Sequence, residues 1–550
     1  MLDSAAVNAP LPLRVRSSEE GSTQVSWWTA ILTLVVAAIC LLSGLRALGL
    51  VGPDEPRYMF IARAMLQSGD WITPRLYGQP WFEKPVLYYW AAAAAFRVFG
   101  VGEFAARLPS ALAALLATAA MAWAALRSYG LDAAWLTLLM LPTTIATLGF
   151  ARAATPDMLF SALLAAAAVA AAEMLAKKRP GQVARLTFGI FLGAATLAKG
   201  PAAVLLAGGA VFLWALASGQ WRAAFRLTHP ICLAAFVAVA APWYALCAQR
   251  NPEFLRVFLI EHNFSRYLTT EFQHVQPFWF FGPVMLAATV PWTVLLLPLA
   301  IAAMTRLRAN QEWKDSPALF FSAWAIFPVL FFSFSQSKLP GYVLPAVPPA
   351  ILLLAAMSAP WLATTSLSKP SARTRLWLAL VGCTFPVLSL AAVFWVRGLP
   401  MQSTFAGSYA PAALLATAIA GGLACTALAL IGRLRPAFAT AGVLMAVLLM
   451  GVSVTIIPKV DALLSPRTAA QATPPEALGG RSLAILDINR SWEYGLDFYL
   501  DRALPQWTPA MPAPTWVWTT EQGAGELASR ARTSVIARIS AQAWLVRIEK

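Results

Sequence analysis

Thirteen apolar runs, most of them about as long as the roughly 20 residues a helix needs to cross a bilayer, dominate this chain. They lie near 27–50, 108–126, 131–150, 158–176, 186–199, 201–218, 229–248, 277–304, 317–335, 342–360, 376–396, 411–431 and 438–457. Of the 550 residues, 59% are hydrophobic and 12% charged, against about 25% charged in soluble domains. One soluble core cannot bury that excess. The expected fold is a mainly α, polytopic membrane protein with 13 transmembrane helices. A soluble enzyme, a disordered chain and a cytosolic nucleic-acid binder are disfavoured. The first run is longer than the 7–15 residues of a signal-peptide core, so it reads as a first transmembrane helix.

Charge fixes the sides. The net charge is +16; from Ser465 onward there are 9 basic and 8 acidic residues, so the excess belongs to the membrane part. The run 86–99 (VLYYWAAAAAFRVF) is short for a span, and aromatics at one end with Arg97 at the other suit an interfacial helix. With that run on the surface, Arg127, Lys177 to Arg179, Arg222, Arg226, Arg306, Arg308, Arg373, Arg375, Arg433 and Arg435 all fall on the side of the N-terminal Arg14 and Arg16. Lys369 joins them. That side is cytoplasmic by the positive-inside bias. The N-terminus is then cytoplasmic and the C-terminal part periplasmic. Lys199-Gly200-Pro201 reads as a tight outer turn between two short apolar halves.

Residues 1–457, including the outer loop 51–107, are expected to form the membrane domain, and 458–550 a linker and a small α/β domain. Strands are predicted at 482–488, 514–519, 533–539 and 543–548, helices at 491–501 and 521–531, and a linker at 465–480. Cys40, Cys232, Cys247, Cys383 and Cys425 all sit in apolar runs and read as small buried hydrophobes.

Five polar elements gather on the outer side. Gly52-Pro53-Asp54-Glu55-Pro56-Arg57-Tyr58 sets adjacent carboxylates directly after the first span, ahead of a surface helix over 57–67. A solvated loop is the plainer reading. Trp81-Phe82-Glu83-Lys84-Pro85 opens the interfacial run. Either it is an exposed pair of little consequence, or Lys84 holds an anion and Glu83 ligates a metal or orients a neighbour. Asp157 follows Thr155-Pro156 and reads as a helix cap or as a partner for Arg57 or another cationic group across a cavity. His262 and Arg266 share a face if helical, beside Glu261 and upstream of His274. They suit an anion, or His262 joins Glu83 on Zn²⁺; a hydrogen-bonded surface histidine is the bland alternative. Lys338 and Tyr342 either reach a phosphate or anchor the membrane boundary. No P-loop or dinucleotide fingerprint is present, which argues against a nucleotide site.

These motifs, with Glu103-Phe104-Ala105-Ala106-Arg107-Leu108-Pro109-Ser110 and Ser337-Lys338-Leu339, resemble the bacterial aminoarabinose transferases. That family belongs to the polyprenyl-phosphate-dependent, protein-mannosyltransferase-like branch of the GT-C glycosyltransferases. The resemblance runs from the first span to about Pro349. It implies 13 spans, two interfacial helices in the first outer loop, a small periplasmic domain and a bacterial inner-membrane location. It also implies transfer of 4-amino-4-deoxy-L-arabinose from undecaprenyl phosphate to a phosphate of lipid A or its lipopolysaccharide precursor. Such transfer lowers surface negative charge and cationic-peptide binding.

Residue by residue, Asp54 matches the family's catalytic aspartate, and Glu55, Arg57 and Asp157 join it in the candidate catalytic group. Lys84 and Arg266 match carrier-phosphate ligands, with Tyr342, Lys338 and Tyr58 also assigned to the donor. Glu83 and His262 match residues that share a divalent metal, Zn²⁺ being the candidate. Inversion at the sugar is expected, with Asp54 as base toward a hydroxyl acceptor or as an orienting group toward a phosphate. Transfer of another sugar to protein, lipopolysaccharide or cell-wall glycan is the rival enzyme reading. A lipid or solute transporter is the rival of another class.

Overall fold

The protein is seen here as a computed structural model that describes residues 26–268, 275–309, 314–362, 370–397, 405, 407–479 and 483–549. Arg14, Arg16, Lys369 and His274 lie outside the described residues, as do the side chains of Arg266, Arg306 and Arg308. Among the described residues, seven helices are long and apolar enough to cross a membrane, and nine spans result if each of two bent pairs counts as one. Trp27–Leu42, Ala202–Ser218 and Pro317–Ser333 are apolar but shorter. Gln182–Lys199 completes the set, so each of the thirteen runs falls on a helix or a bent pair.

The departures have local causes. The first helix ends at Leu42 rather than near 50, because Ser43 folds back onto the Ile39 carbonyl and Gly44 takes φ +69°. The run 131–150 divides into Leu131–Met140 and Ile145–Ala151, bent by 58°. Pro142 lacks the donor needed to continue the ladder, and the Thr144 hydroxyl caps the second piece. The run 277–304 is not one straight crossing: Phe278–Ala288 and Trp292–Ala302 meet at 112°, around Thr289-Val290-Pro291. The predicted turn at Lys199-Gly200-Pro201 is present, with Gly200 at φ +80°.

Small residues let the helices approach closely. A Cβ on Gly382 would lie 2.7 Å from the Gly422 carbonyl oxygen, and one on Gly422 the same distance from that of Gly382. Helices Ala372–Arg397 and Ala410–Leu430 therefore meet backbone to backbone, as membrane helices rich in Gly and Ala do.

The stretch 51–107 is structured throughout. Helix Asp54–Ser68 is followed by a hairpin of β1 (Arg75–Leu76) and β2 (Gln79–Pro80). Its turn places Tyr77 and Gly78 at φ 52° and 79°. Helix Leu87–Phe99 comes next and buries Tyr88, Tyr89, Ala92, Ala93 and Phe96.

Near the C-terminus, β3 (Leu483–Leu486), β4 (Thr515–Thr519), β5 (Thr533–Ser540) and β6 (Ala543–Ile548) form one sheet. The order is β3-β4-β6-β5, with β3 parallel to β4 and the other pairs antiparallel. Helices Arg490–Leu500 and Glu521–Arg530 fall where the sequence places them. The stretch 465–480 is not an open linker. Helices Arg467–Gln471 and Pro475–Leu478 form within it and bury Ala469, Ala470 and Ala477. Arg467 is held by Asp461 at 2.9 Å and Glu103 at 3.2 Å.

Candidate active site

The turn at Gly52 (φ +67°) and Pro53 launches helix Asp54–Ser68, so Asp54 and Glu55 occupy its first turn, where unpaired N–H groups favour carboxylates. The two then diverge. Asp54 accepts from Arg57 Nη2 at 2.6 Å. The same Nη2 reaches Glu83 at 2.8 Å, so Arg57 ties the two acidic motifs together. Burial works against the Arg57 charge, but Glu83 first and Asp54 with it outweigh that and keep the guanidinium protonated. Tyr58, Trp81 and Tyr494 also face it, with ring centroids 5.2 Å, 5.4 Å and 5.8 Å away.

Asp54 opens onto a cavity of about 410 Å³. Tyr58, Glu83, Lys84, Asp157, Lys199, His262 and Tyr342 share its wall. Four of the five predicted elements thus converge through side chains, and the fifth through Ser335, Ser337, Leu339 and Tyr342. The Asp54 side chain is 47% exposed, in the wall of this cavity. Burial still pushes its carboxyl above the ordinary value; Arg57 draws it back and Glu83 pushes it up again. Burial likewise lifts the Tyr58 phenol well above its usual range, with Glu83 adding to it.

Among the described residues, the cations in its wall are Lys84, 3.4 Å from Glu83, and Lys199, hydrogen-bonded to Asp157. Of the two partners expected for Asp157, it is the other cationic group, Lys199, and not Arg57 that it pairs with. Lys199 also lies 5.1 Å from the Tyr342 ring centroid. It is a cavity residue that the motif reading placed at an outer turn without assigning it to the site. The signal was present: a lysine inside an otherwise apolar run, directly before a Gly-Pro break.

Several expectations are placed differently. Glu55 does not line this cavity. Its carboxylate binds Arg107 through both oxygens, at 3.1 Å and 2.8 Å, and accepts from the backbone of Val51 and Ala154. Lys338 does not line it either: its ammonium donates to the Gln276 and Ser335 carbonyls at 2.9 Å and 2.6 Å. His262 lies in a π-helical segment, Arg256–Ser265, and Arg266 begins the short helix Arg266–Leu268. Where the Arg266 side chain points lies outside the described residues.

The donor set for zinc does not fit. Glu83 and His262 share the cavity, but both Glu83 oxygens are engaged, by Arg57 and Lys84. Among the described residues no group of three or more His, Cys, Asp or Glu side chains is placed to hold a metal ion.

A second cavity, of about 470 Å³, lies against the same helix start. Gly52, Pro53, Asp54, Glu55, Arg107 and Arg152 line it together with Leu449, Val452 and Ile457. Asp54 is the residue the two cavities have in common.

Residues 83–245, under a third of the chain, match the family described as dolichyl-phosphate-mannose-protein mannosyltransferase. The undecaprenyl phosphate-alpha-4-amino-4-deoxy-L-arabinose arabinosyl transferase of Edwardsiella ictaluri is 32% identical over 306 residues, 55% of this chain and 54% of that protein. The enzyme of the same name from Serratia proteamaculans is 33% identical over 338 residues, 60% of this chain and 59% of its own. The chain thus spans little more than half the length of the relatives it matches. In structure the likeness extends further. The crystal structure of ArnT from Cupriavidus metallidurans bound to undecaprenyl phosphate superposes with a TM-score of 0.76 at 25% identity, covering 95% of this chain and 98% of that one. The resemblance read from the motifs is therefore present in sequence over the aligned half and in fold over nearly the whole chain.

Proposed function

We propose that this chain is an inverting glycosyltransferase that moves 4-amino-4-deoxy-L-arabinose from undecaprenyl phosphate to a phosphate of lipid A at the periplasmic face of the bacterial inner membrane. One observation carries the reading: Asp54 stands between a cavity furnished with Lys84, Lys199 and Tyr342 and a second, largely apolar cavity. The first suits a sugar on a lipid phosphate, and the second an acceptor arriving from the other direction. The likeness to a structure holding undecaprenyl phosphate supports the donor side.

The chemistry follows from charge. As the bond from the anomeric carbon to the carrier phosphate breaks, negative charge grows on that phosphate, and Lys84 stabilises it. The acceptor oxygen attacks from the opposite face, which inverts the centre. A phosphate acceptor is largely ionised near neutral pH and needs little help from a base. The Asp54 carboxylate then holds the electron-poor carbon and the sugar's ammonium, which an ionised aspartate alone among its protonation states can do. Arg57 positions Asp54 and Glu83 from beneath the cavity floor.

The same reading gives thirteen crossings, a cytoplasmic N-terminus, residues 1–457 as the catalytic membrane domain and 458–550 as a periplasmic domain. Helices Asp54–Ser68 and Leu87–Phe99 then lie along the outer membrane boundary.

Mass spectrometry of lipid A from cells lacking the chain tests the reading. Deletion removes an added aminoarabinose mass, and the wild type restores it, while Asp54→Asn and Lys84→Ala do not at equal protein abundance. An unchanged lipid A profile with a sugar missing from protein instead would favour the second reading, protein glycosylation, which the family match over residues 83–245 supports.

A further inference from the structure

Two arginines line the second cavity, and they differ in how much of their hydrogen-bonding capacity is already used. A guanidinium has five N–H donors. Arg107 uses all five: Nε and Nη2 on Glu55, Nη1 on the Leu45 and Leu48 carbonyls, and Nη2 again on that of Gly49. It is saturated, neutralised and buried. Arg152 uses two, from Nη1 to the Leu148 carbonyl at 3.1 Å and from Nη2 to the Ser43 carbonyl at 2.9 Å. Its Nε is buried and has no acceptor among the described residues. None of its bonds is to a carboxylate.

Leaving a buried donor unmade has a cost, larger when the donor is charged. Here the cost falls on a cation in the wall of a cavity that also contains Asp54. Arg152 follows the short helix Ile145–Ala151, and its two bonds to helix-end carbonyls fix the plane of the group. A guanidinium held in one plane, with donors beyond those used within the protein, suits a tetrahedral anion. Leu449, Val452 and Ile457 supply apolar wall for acyl chains nearby.

We infer that Arg152 binds the phosphate of the acceptor lipid in the second cavity and so sets which end of that lipid meets the sugar across Asp54. This rests on the transferase reading above and adds to it a residue for acceptor recognition. No covalent step is assigned to Arg152.

Binding, measured apart from turnover, tests it. Purified full-length protein in detergent is titrated with bisphosphoryl lipid A, with the same lipid after phosphatase treatment, with inorganic phosphate and with undecaprenyl phosphate. Thermal stabilisation is the readout. Bisphosphoryl lipid A stabilises the wild type, and Arg152→Gln weakens its binding about tenfold or more, as loss of a charge-assisted hydrogen bond does. Arg152→Lys keeps the charge and falls between. Both leave undecaprenyl phosphate binding unchanged, whereas Lys84→Ala weakens undecaprenyl phosphate and spares lipid A. A photoreactive residue at Val452, in a chain with Arg152 intact, crosslinks lipid A, and excess dephosphorylated lipid does not suppress the product.

Equal loss of both lipids in Arg152→Gln, no loss of either, or no lipid A binding by the wild type overturns the inference. So does inorganic phosphate competing as well as the whole lipid, which assigns the site to the free ion. Wild-type protein that binds lipid A through Arg152 but adds no aminoarabinose to it would instead sink the proposed function and leave the binding site standing.

Discussion

Asp54 and Glu55 are neighbours in sequence yet belong to separate charge networks: Asp54 bonds to Arg57 at the cavity wall, and Glu55 to Arg107 in the protein interior. Their substitutions should therefore differ in kind.

Asp54→Asn removes a charge that, on the proposed function, faces the reacting centre. Transfer should fall about 100-fold or more, with abundance and unfolding temperature near those of wild type. Initial rates in membrane vesicles, beside immunoblots, check both halves of the statement.

Glu55→Gln leaves Arg107 buried without its counter-ion; the two side chains are 5% and 3% exposed. Breaking such a pair costs about 3–5 kcal/mol. The expected result is a large drop in unfolding temperature in detergent and low abundance in cells. Normal stability with lost transfer would show that Glu55 acts in the chemistry after all.

Transfer should also fall as the medium is acidified. The Asp54 carboxyl lies above its ordinary value, chiefly through burial, and the working form is the carboxylate. Activity is therefore full above that raised value and is lost as pH drops through it, at a higher pH than a free aspartate, near 3.9, would give. Replacing Glu83 with Gln removes one contribution to the elevation, so the acid limb of the profile should move to lower pH.

Asp157 and Lys199 form one unit in the wall of the first cavity, the one proposed to take the donor. Asp157→Asn and Lys199→Met should each lower transfer about tenfold, and the double variant should be no worse than the poorer single, because contacting residues are not additive. Full additivity in kcat/KM would show that they work independently.

Asp497 offers a test away from the chemistry. It accepts from the Tyr77 hydroxyl and from the Leu504 backbone, and burial pushes its carboxyl up to about 6. An unfolded aspartate titrates near 3.9. Between those values the folded chain keeps a proton that the unfolded chain has lost. The stability from this group is thus full below the lower value and lost as pH rises through the higher, by up to about 3 kcal/mol. Asp497→Asn should flatten the pH dependence of unfolding between about pH 4 and 6, which a denaturation series in detergent measures.

Much of this arrangement is legible in the residue order, because length and hydropathy dictate where helices form in a membrane protein. The thirteen runs, the turn at Gly200 and the four C-terminal strands follow from patterns local to a few residues. Breaks inside apolar runs were harder to read. Pro142 and Pro291 sit in stretches whose mean hydropathy barely registers them, yet each marks a change of helix direction. The site was legible as a set of polar residues but not as a set of pairs. Nothing about Glu55 in sequence separates it from Asp54, and nothing about Lys338 reveals that two carbonyls hold its ammonium. The first choice depends on Arg107, 52 positions away, and the second in part on Gln276, 62 positions away, and sequence spacing brings neither into view.

Three successive peptide N–H groups shortly before Asp54 are each fastened by a side chain: Gly49 by Asp461, Leu50 by Tyr499 and Val51 by Glu55. Two of those three anchors come from beyond residue 457. A chimera that joined this chain's first three hundred residues to a relative's remainder would inherit Asp54 but not two of the side chains that hold the backbone ahead of it. Exchanges between relatives should succeed only where the elbow and its distant anchors travel together.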